Sequence, residues 1–260
     1  MRSQPHDSGG LWRNFYGRTK GKKMNKVQKV RLETQLESLS FGPVSYEENP
    51  KRMPIDPSTI LGSKDIWLEI GFGGGEHLVH QAKANPDVGF IGCEPFMNGV
   101  AMLLGKIERE GIKNIRIYPG DVRDLFDVLP ERSISRAFLL YPDPWPKKRH
   151  HRRRFVTQDH LWSLARVMQE NCEFRIATDI EDYVRQTLEK VPECGFSTAT
   201  YLKEGIHQSW SDWVSTRYEQ KALREGRIPH YLSFKRNGAA IPVDFLMRAV
   251  RMPTPSSQRH

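Results

Sequence analysis

Ile66-Trp67-Leu68-Glu69-Ile70-Gly71-Phe72-Gly73-Gly74-Gly75 is a short, largely apolar run that ends in glycines, and its reading decides the fold. Ile66–Ile70 suits a buried strand. The glycines let the backbone turn sharply and approach a ligand with no Cβ in the way. Beyond them, Leu78–Ala84 has a helical pattern that stops before Pro86. A strand, a glycine turn and a helix open a βαβ unit. A dinucleotide site asks for G-x-G-x-x-G, and counted from Gly71 its third glycine falls on Glu76, so that fingerprint fails. The spacing present is E-x-G-x-G-x-G.

Outward from this stretch the alternation continues. Val88–Cys93, Ile115–Tyr118, Ile134–Leu140 and Phe174–Ala177 read as strands. Gly99–Glu110, Gln158–Met168 and Ile180–Glu189 read as helices. Such alternation predicts a mostly parallel sheet with ligand sites at the carboxyl ends of its strands. After Gly195 the pattern weakens, with strand candidates at Phe196–Tyr201 and His230–Lys235 and an apolar stretch at Phe245–Val250. Acids stand at three successive strand ends. Glu69 sits poorly beside a pyrophosphate but well beside a sulfonium or an amino group. Glu94 can accept from both hydroxyls of a ribose, and Asp121 from an adenine amine. Each alone reads as a helix N-cap or a loop residue. Together with Gly71, Gly73 and Gly75 they point to S-adenosylmethionine, which has a cationic sulfur and an α-amino group and lacks phosphate.

The chain has 260 residues, 38% of them hydrophobic, and a formal net charge of +9. That is enough for one large domain with extensions. Residues 1–55 lack periodicity and read as a flexible basic arm, 56–236 as the domain and 237–260 as a C-terminal extension. Arg13, Arg18, Lys20, Lys22, Lys23, Lys26, Lys29 and Arg31 lie in the arm with no acid among them. Excess positive charge speaks of partners, here nucleic acid, and not of fold. No stretch approaches the roughly 18–20 apolar residues of a membrane span, and no apolar segment of a secretory signal follows the N-terminus. Cys93, Cys172 and Cys194 are odd in number and without CxxC spacing, which predicts reduced thiols in a cytoplasmic protein and no zinc site.

Leu140-Tyr-Pro-Asp143-Pro-Trp145-Pro-Lys147-Lys-Arg-His-His-Arg-Arg-Arg154 follows the fourth strand. Its three prolines stiffen the loop around Asp143 and Trp145. Its dense basic end suits phosphate.

On Leu68-Glu-Ile-Gly-Phe-Gly, Pro142-Asp-Pro-Trp-Pro-Lys-Lys-Arg-His, Ala177-Thr-Asp179 and Thr216-Arg-Tyr-Glu219, the chain closely resembles the bacterial tRNA (guanine-N7-)-methyltransferase family, from about Asp65 to Arg236. The resemblance implies the α/β class I, Rossmann-like methyltransferase fold: a seven-stranded, mostly parallel sheet with helices on both faces and its last-inserted strand antiparallel. It implies methylation of N7 of guanosine 46 in the tRNA variable loop. It makes Glu69, Glu94, Asp121 and Asp143 cofactor-site residues, with Asp143 catalytic. Lys147, Asp179, Thr216, Arg217, Tyr218 and Glu219 become substrate contacts, and Arg149, His150, His151, Arg152, Arg153 and Arg154 an RNA-contacting stretch.

Guanine N7 already carries a lone pair, so no strong base and no metal is needed, and alignment is the enzyme's task. Asp143 can favour the charge that moves onto the purine. Asp179 can accept from guanine N1–H and the exocyclic amine, and Trp145 or Tyr141 can stack on the base. Read from its own residues, Thr216-Arg-Tyr-Glu219 is a helix start with a capping-box pattern. The alternatives are a non-catalytic RNA binder on this scaffold, a methyltransferase of another RNA base, of a small molecule or of a protein, and an NAD-dependent oxidoreductase.

Overall fold

In the computed structural model of the chain the described residues are 17, 21–199 and 205–250, with side chains to 246. They form one sheet of seven strands: β1 (Ile66–Ile70), β2 (Gly89–Cys93), β3 (Ile115–Tyr118), β4 (Ile134–Leu140), β5 (Met168–Thr178), β6 (Phe196–Thr198) and β7 (His230–Arg236). The order is β3-β2-β1-β4-β5-β7-β6. The first five strands pair in parallel, and β7 runs antiparallel between β5 and β6. This is the expected class I, Rossmann-like methyltransferase sheet.

Every residue of β1 and β2 is buried, as a parallel strand covered on both faces must be. Nine helices of the described residues complete the fold: α1 (Lys26–Gln35), α2 (Pro57–Leu61), α3 (Glu76–Ala84), α4 (Met97–Glu110), α5 (Val122–Val128), α6 (Gln158–Val167), α7 (Glu181–Lys190), α8 (Arg217–Arg224) and α9 (Val243–Val250). Alternate strand residues face opposite sides. Leu68 and Ile70 therefore pack with Leu125, Leu161 and Val184 of α5, α6 and α7. Trp67 packs instead with Leu78, Val100 and Leu104 of α3 and α4. No described helix is long and apolar enough to cross a membrane.

Three features depart from the sequence reading. Inside the expected flexible arm, Asn25 caps α1, accepting from the Gln28 N–H at 2.8 Å while the Gln28 side chain returns to the Asn25 N–H at 3.1 Å. The helix docks on α4 through Arg31 and Glu108, 2.8 Å apart. Phe41 donates its N–H to the Ile117 carbonyl at 3.0 Å, and Phe41 and Val44 are fully buried. Packing thus reaches well before residue 56. Two apolar residues among polar ones give no period, so only their tertiary partners reveal them. Second, β5 starts at Met168, six residues before the expected strand and on the last residue of the expected helix Gln158–Met168. The polar run Gln169–Asn171 hides its first half, and Asn171 has φ 63°, a left-handed kink in the strand. Third, the ring of Phe245 on α9 lies 6.1 Å from Trp162 of α6, so part of the C-terminal extension is docked. Arg13, Arg18 and Lys20, the end of the expected strand Phe196–Tyr201 and the tail beyond 250 lie outside the described residues.

Candidate active site

A cavity of about 820 Å³ opens at the carboxyl ends of β1 to β4. The chain's windings diverge between β1 and β4, which leaves a crevice there in any doubly wound sheet. Gly71 and Gly73, Glu94, Asp121 and the segment Tyr141–Asp143 all line it, one group from each of these strand ends.

The glycine turn is held by Glu94. Its Oε2 accepts the Gly73 N–H at 2.7 Å and its Oε1 the Phe96 N–H at 2.9 Å. Burial pushes the Glu94 carboxyl above its ordinary value, and the charges of Asp143 and Glu69 add to the rise against these two hydrogen bonds. Gly73 has φ 55°, and a Cβ there would lie 2.6 Å from the Tyr218 ring. A Gly73→Ala protein is expected to lose about 1–3 kcal/mol of stability, by strain and by displacing Tyr218. Scanning calorimetry measures this, and an unchanged melting temperature would refute the close fit of α8 on the loop.

Asp121 is both the expected N-cap and a cavity residue. It accepts from the Arg123 N–H and from the Arg123 guanidinium, each at 3.0 Å. Burial opposes its ionisation, but the hydrogen bonds and charge of Arg123 outweigh this and hold the carboxyl below its ordinary value.

The loop after β4 is strained. Tyr141 has φ 50° and Trp145 φ 39°, both in the left-handed region that costs a non-glycine residue about 1–3 kcal/mol. Tyr141 is tied down by its N–H to the Ala177 carbonyl, 2.7 Å, and Asp143 is exposed on the cavity wall. The Arg153 guanidinium lies 4.9 Å over the Trp145 ring, and His150 meets that ring edge-on at 6.0 Å.

Within the basic run the structure divides what charge alone could not. Lys147, Lys148, Arg149 and Arg152 are exposed, and Arg152 and Arg153 reach the cavity. Arg154 points inward and is 1% exposed. Its Nε donates to the Pro144 carbonyl at 2.8 Å and its Nη2 to the Trp145 carbonyl at 3.4 Å. On the other side it reaches Asp182 at 2.8 Å and Gln186 at 2.7 Å of α7. Its expected RNA contact is thereby corrected: a buried guanidinium must be paired, and Arg154 is the strut between the Asp143 loop and α7. His151 shares the Asp182 carboxylate at 3.2 Å.

Glu69 does not line the cavity. Strand alternation turns it to the Trp67 side, where its Oε2 meets His77 Nδ1 of α3 at 2.7 Å, both groups buried. The segment Thr216–Glu219 is brought to the site by α8. Thr216 caps the helix, accepting the Glu219 N–H at 3.3 Å. The Glu219 carboxylate does not return the bond of a capping box. It is buried and accepts from the Trp213 indole at 3.0 Å, the Tyr141 hydroxyl at 3.3 Å and the Tyr231 hydroxyl. Arg217 pairs with Glu76 at the start of α3, which sets Tyr218 over Gly73. Asp179 lies off the cavity wall, its Oδ2 taking the Arg227 Nε at 2.5 Å. Arg123, Phe155 and His160 line the cavity without having been singled out. A lone histidine or arginine on a helix turn carries no signal of its own. Among the described residues no cluster of His, Cys, Asp or Glu could hold a metal.

Residues 63–231 match the family described as "Putative methyltransferase". The tRNA (guanine-N(7)-)-methyltransferase of Ruegeria pomeroyi is 64% identical over 224 residues, 86% of this chain and 94% of that protein. That of Cereibacter sphaeroides is 61% identical over 88% of this chain and 94% of its own. That of Nitrobacter hamburgensis is 44% identical over 87% and 88%. Among solved structures, an antibiotic-related methyltransferase is similar at 16% identity and a TM-score of 0.49, covering 68% of this chain and 90% of that one. At such identities across nearly the whole length, the chain belongs to the tRNA (guanine-N(7)-)-methyltransferase family.

Proposed function

We propose that the protein transfers the methyl group of S-adenosylmethionine to N7 of guanosine 46 in the variable loop of tRNA, in the cytoplasm. The observation that carries this reading is one cavity lined by Glu94, Asp121 and Asp143 together with Trp145, Arg152 and Arg153. The acids suit a cationic ligand without phosphate, the glycine turn admits it closely, and the basic residues suit a polyanion. S-adenosylmethionine, when bound, supplies an electrophilic methyl group on a positively charged sulfur.

The chain's own residues do the rest. Gly71 leaves room for the ligand, with open space where a Cβ would stand, while Glu94 holds the turn through the Gly73 N–H and keeps lone pairs for a ribose. Asp143, on a loop fixed by Arg154, favours positive charge as it moves onto the purine and orients the two reactants. Asp179 remains the acceptor offered for guanine N1–H and the exocyclic amine, with Oδ2 shared with Arg227. Lys147, Arg149 and Arg152 are available to tRNA phosphates.

Incubation with labelled S-adenosylmethionine and unmodified tRNA, followed by nucleoside analysis, tests the whole. Label as 7-methylguanosine at one variable-loop position is expected. Label on another base would keep the cofactor and overturn the substrate, and no transfer to any tRNA would favour an RNA-binding scaffold.

A further inference from the structure

The start of α6 and the residues just before it bring Phe155, Thr157, Asp159 and His160 to the cavity wall. The His160 ring lies over Phe155 at 26°, centroids 5.4 Å apart. Its Nδ1 is 2.9 Å from the Phe155 carbonyl oxygen. A carbonyl only accepts, so Nδ1 carries the proton, and in the neutral ring Nε2 then presents a lone pair. Nε2 bonds to no other described residue. Burial favours the neutral ring, with Arg123 adding to the effect and Asp121, Asp159 and the Phe155 carbonyl opposing it.

Asp121 was the residue expected to accept from an adenine amine. Both its oxygens are already engaged by Arg123: Oδ1 by the backbone N–H and Nε, Oδ2 by Nε and by Nη2 at 2.5 Å. A neutral ring acceptor that Arg123 does not occupy stands near it on the same cavity wall, His160.

We infer that His160 Nε2 accepts a hydrogen bond from the exocyclic amine of an adenine ring and thereby sets the preference for an adenosyl ligand. The inference rests on the S-adenosylmethionine reading above and deepens it by naming the ligand edge that is read. A 6-oxo purine would turn a carbonyl oxygen toward the same lone pair, two acceptors facing each other.

Titration calorimetry of the full chain with S-adenosylhomocysteine and with S-inosylhomocysteine, whose amine is replaced by oxygen, tests this. The unaltered protein is expected to prefer the amine by about tenfold or more. His160→Leu is expected to bring the two ligands within about twofold, mainly by weakening the adenosyl one. Acidification, which puts a proton on Nε2 facing Asp121, Arg123 and Asp159, should weaken adenosyl binding in the unaltered protein and not in His160→Leu. Independently of how the variant folds, the ¹⁵N resonance of His160 Nε2 in the unaltered protein should move when S-adenosylhomocysteine binds. An unchanged preference in folded His160→Leu, or an unmoved Nε2 resonance in the saturated protein, would overturn the role of His160 alone. If the unaltered protein binds neither ligand, the cofactor reading falls and takes this inference with it.

Discussion

An Asp143→Ala protein is expected to fold, to keep its melting temperature within a degree or two, and to lose about 10²–10³-fold in kcat for tRNA methylation. The side chain is exposed on the cavity wall, so its removal opens no hole in the core. The loop that carries it is held from elsewhere: by the Tyr141 N–H on Ala177 and by Arg154 on the carbonyls of Pro144 and Trp145. What disappears is a fixed negative charge on the cavity wall, which the proposed function sets beside the reacting atoms. Asp143→Asn keeps the shape and removes only that charge, so it separates the two contributions. If the Asp143→Asn protein sustained the full rate under saturating tRNA, electrostatic stabilisation by Asp143 would be refuted, and the residue would serve only to shape the loop.

Arg154→Ala is expected to do damage of a different kind. It strips donors from two loop carbonyls and from the Gln186 side chain, all supplied by a guanidinium group that is itself buried. Unmade buried hydrogen bonds cost about 1–3 kcal/mol each. Asp182 is partly exposed and keeps Arg185 and His151, so the total should come to about 3 kcal/mol, or roughly 6–12 °C in melting temperature for a chain of this size. The folded fraction should also turn over slowly, because Trp145 has lost a support for its left-handed backbone. Arg152→Ala is the control, with an exposed side chain. It should leave the melting temperature unchanged, weaken tRNA binding, and reduce the salt dependence of that binding by about one phosphate contact. An Arg154→Ala protein that behaved like Arg152→Ala would restore the RNA-facing reading of the whole run.

The contrast between these two arginines marks how far the sequence could be read. The sheet was legible because strands buried on both faces are unbroken apolar runs, as β1 is from Ile66 to Ile70. Two of the cavity acids were legible because a parallel sheet collects its strand ends on one side, so Glu94 and Asp121 could be grouped by position, while Asp143 came from the family resemblance. Orientation was not legible. Whether Glu69 faces the ligand or α3 turns on odd or even register, and its place beside His77 follows from the same alternation that sends Ile70 to the cavity. Eight basic residues in a row, Lys147 to Arg154, look alike until one of them has to satisfy buried carbonyls. Phe41 and Val44 act through partners far away in the chain, for which no local period exists.

The position of β7 has a consequence for the order in which the protein is made. The strand lies between β5 and β6 yet is the last of the seven to leave the ribosome. Until His230–Arg236 emerges, the far edge of β5 has unpaired backbone groups flanking the apolar side chains of Phe174 and Ile176. Such an edge is a template for pairing with another chain. Tyr218 and Glu219 also arrive late, so the glycine turn waits for more than half of the chain before its cover is in place. A nascent chain halted near residue 200 would hold most of the sheet, an open edge and an uncovered site, which makes the final stretch of synthesis the interval in which a chaperone has most to protect.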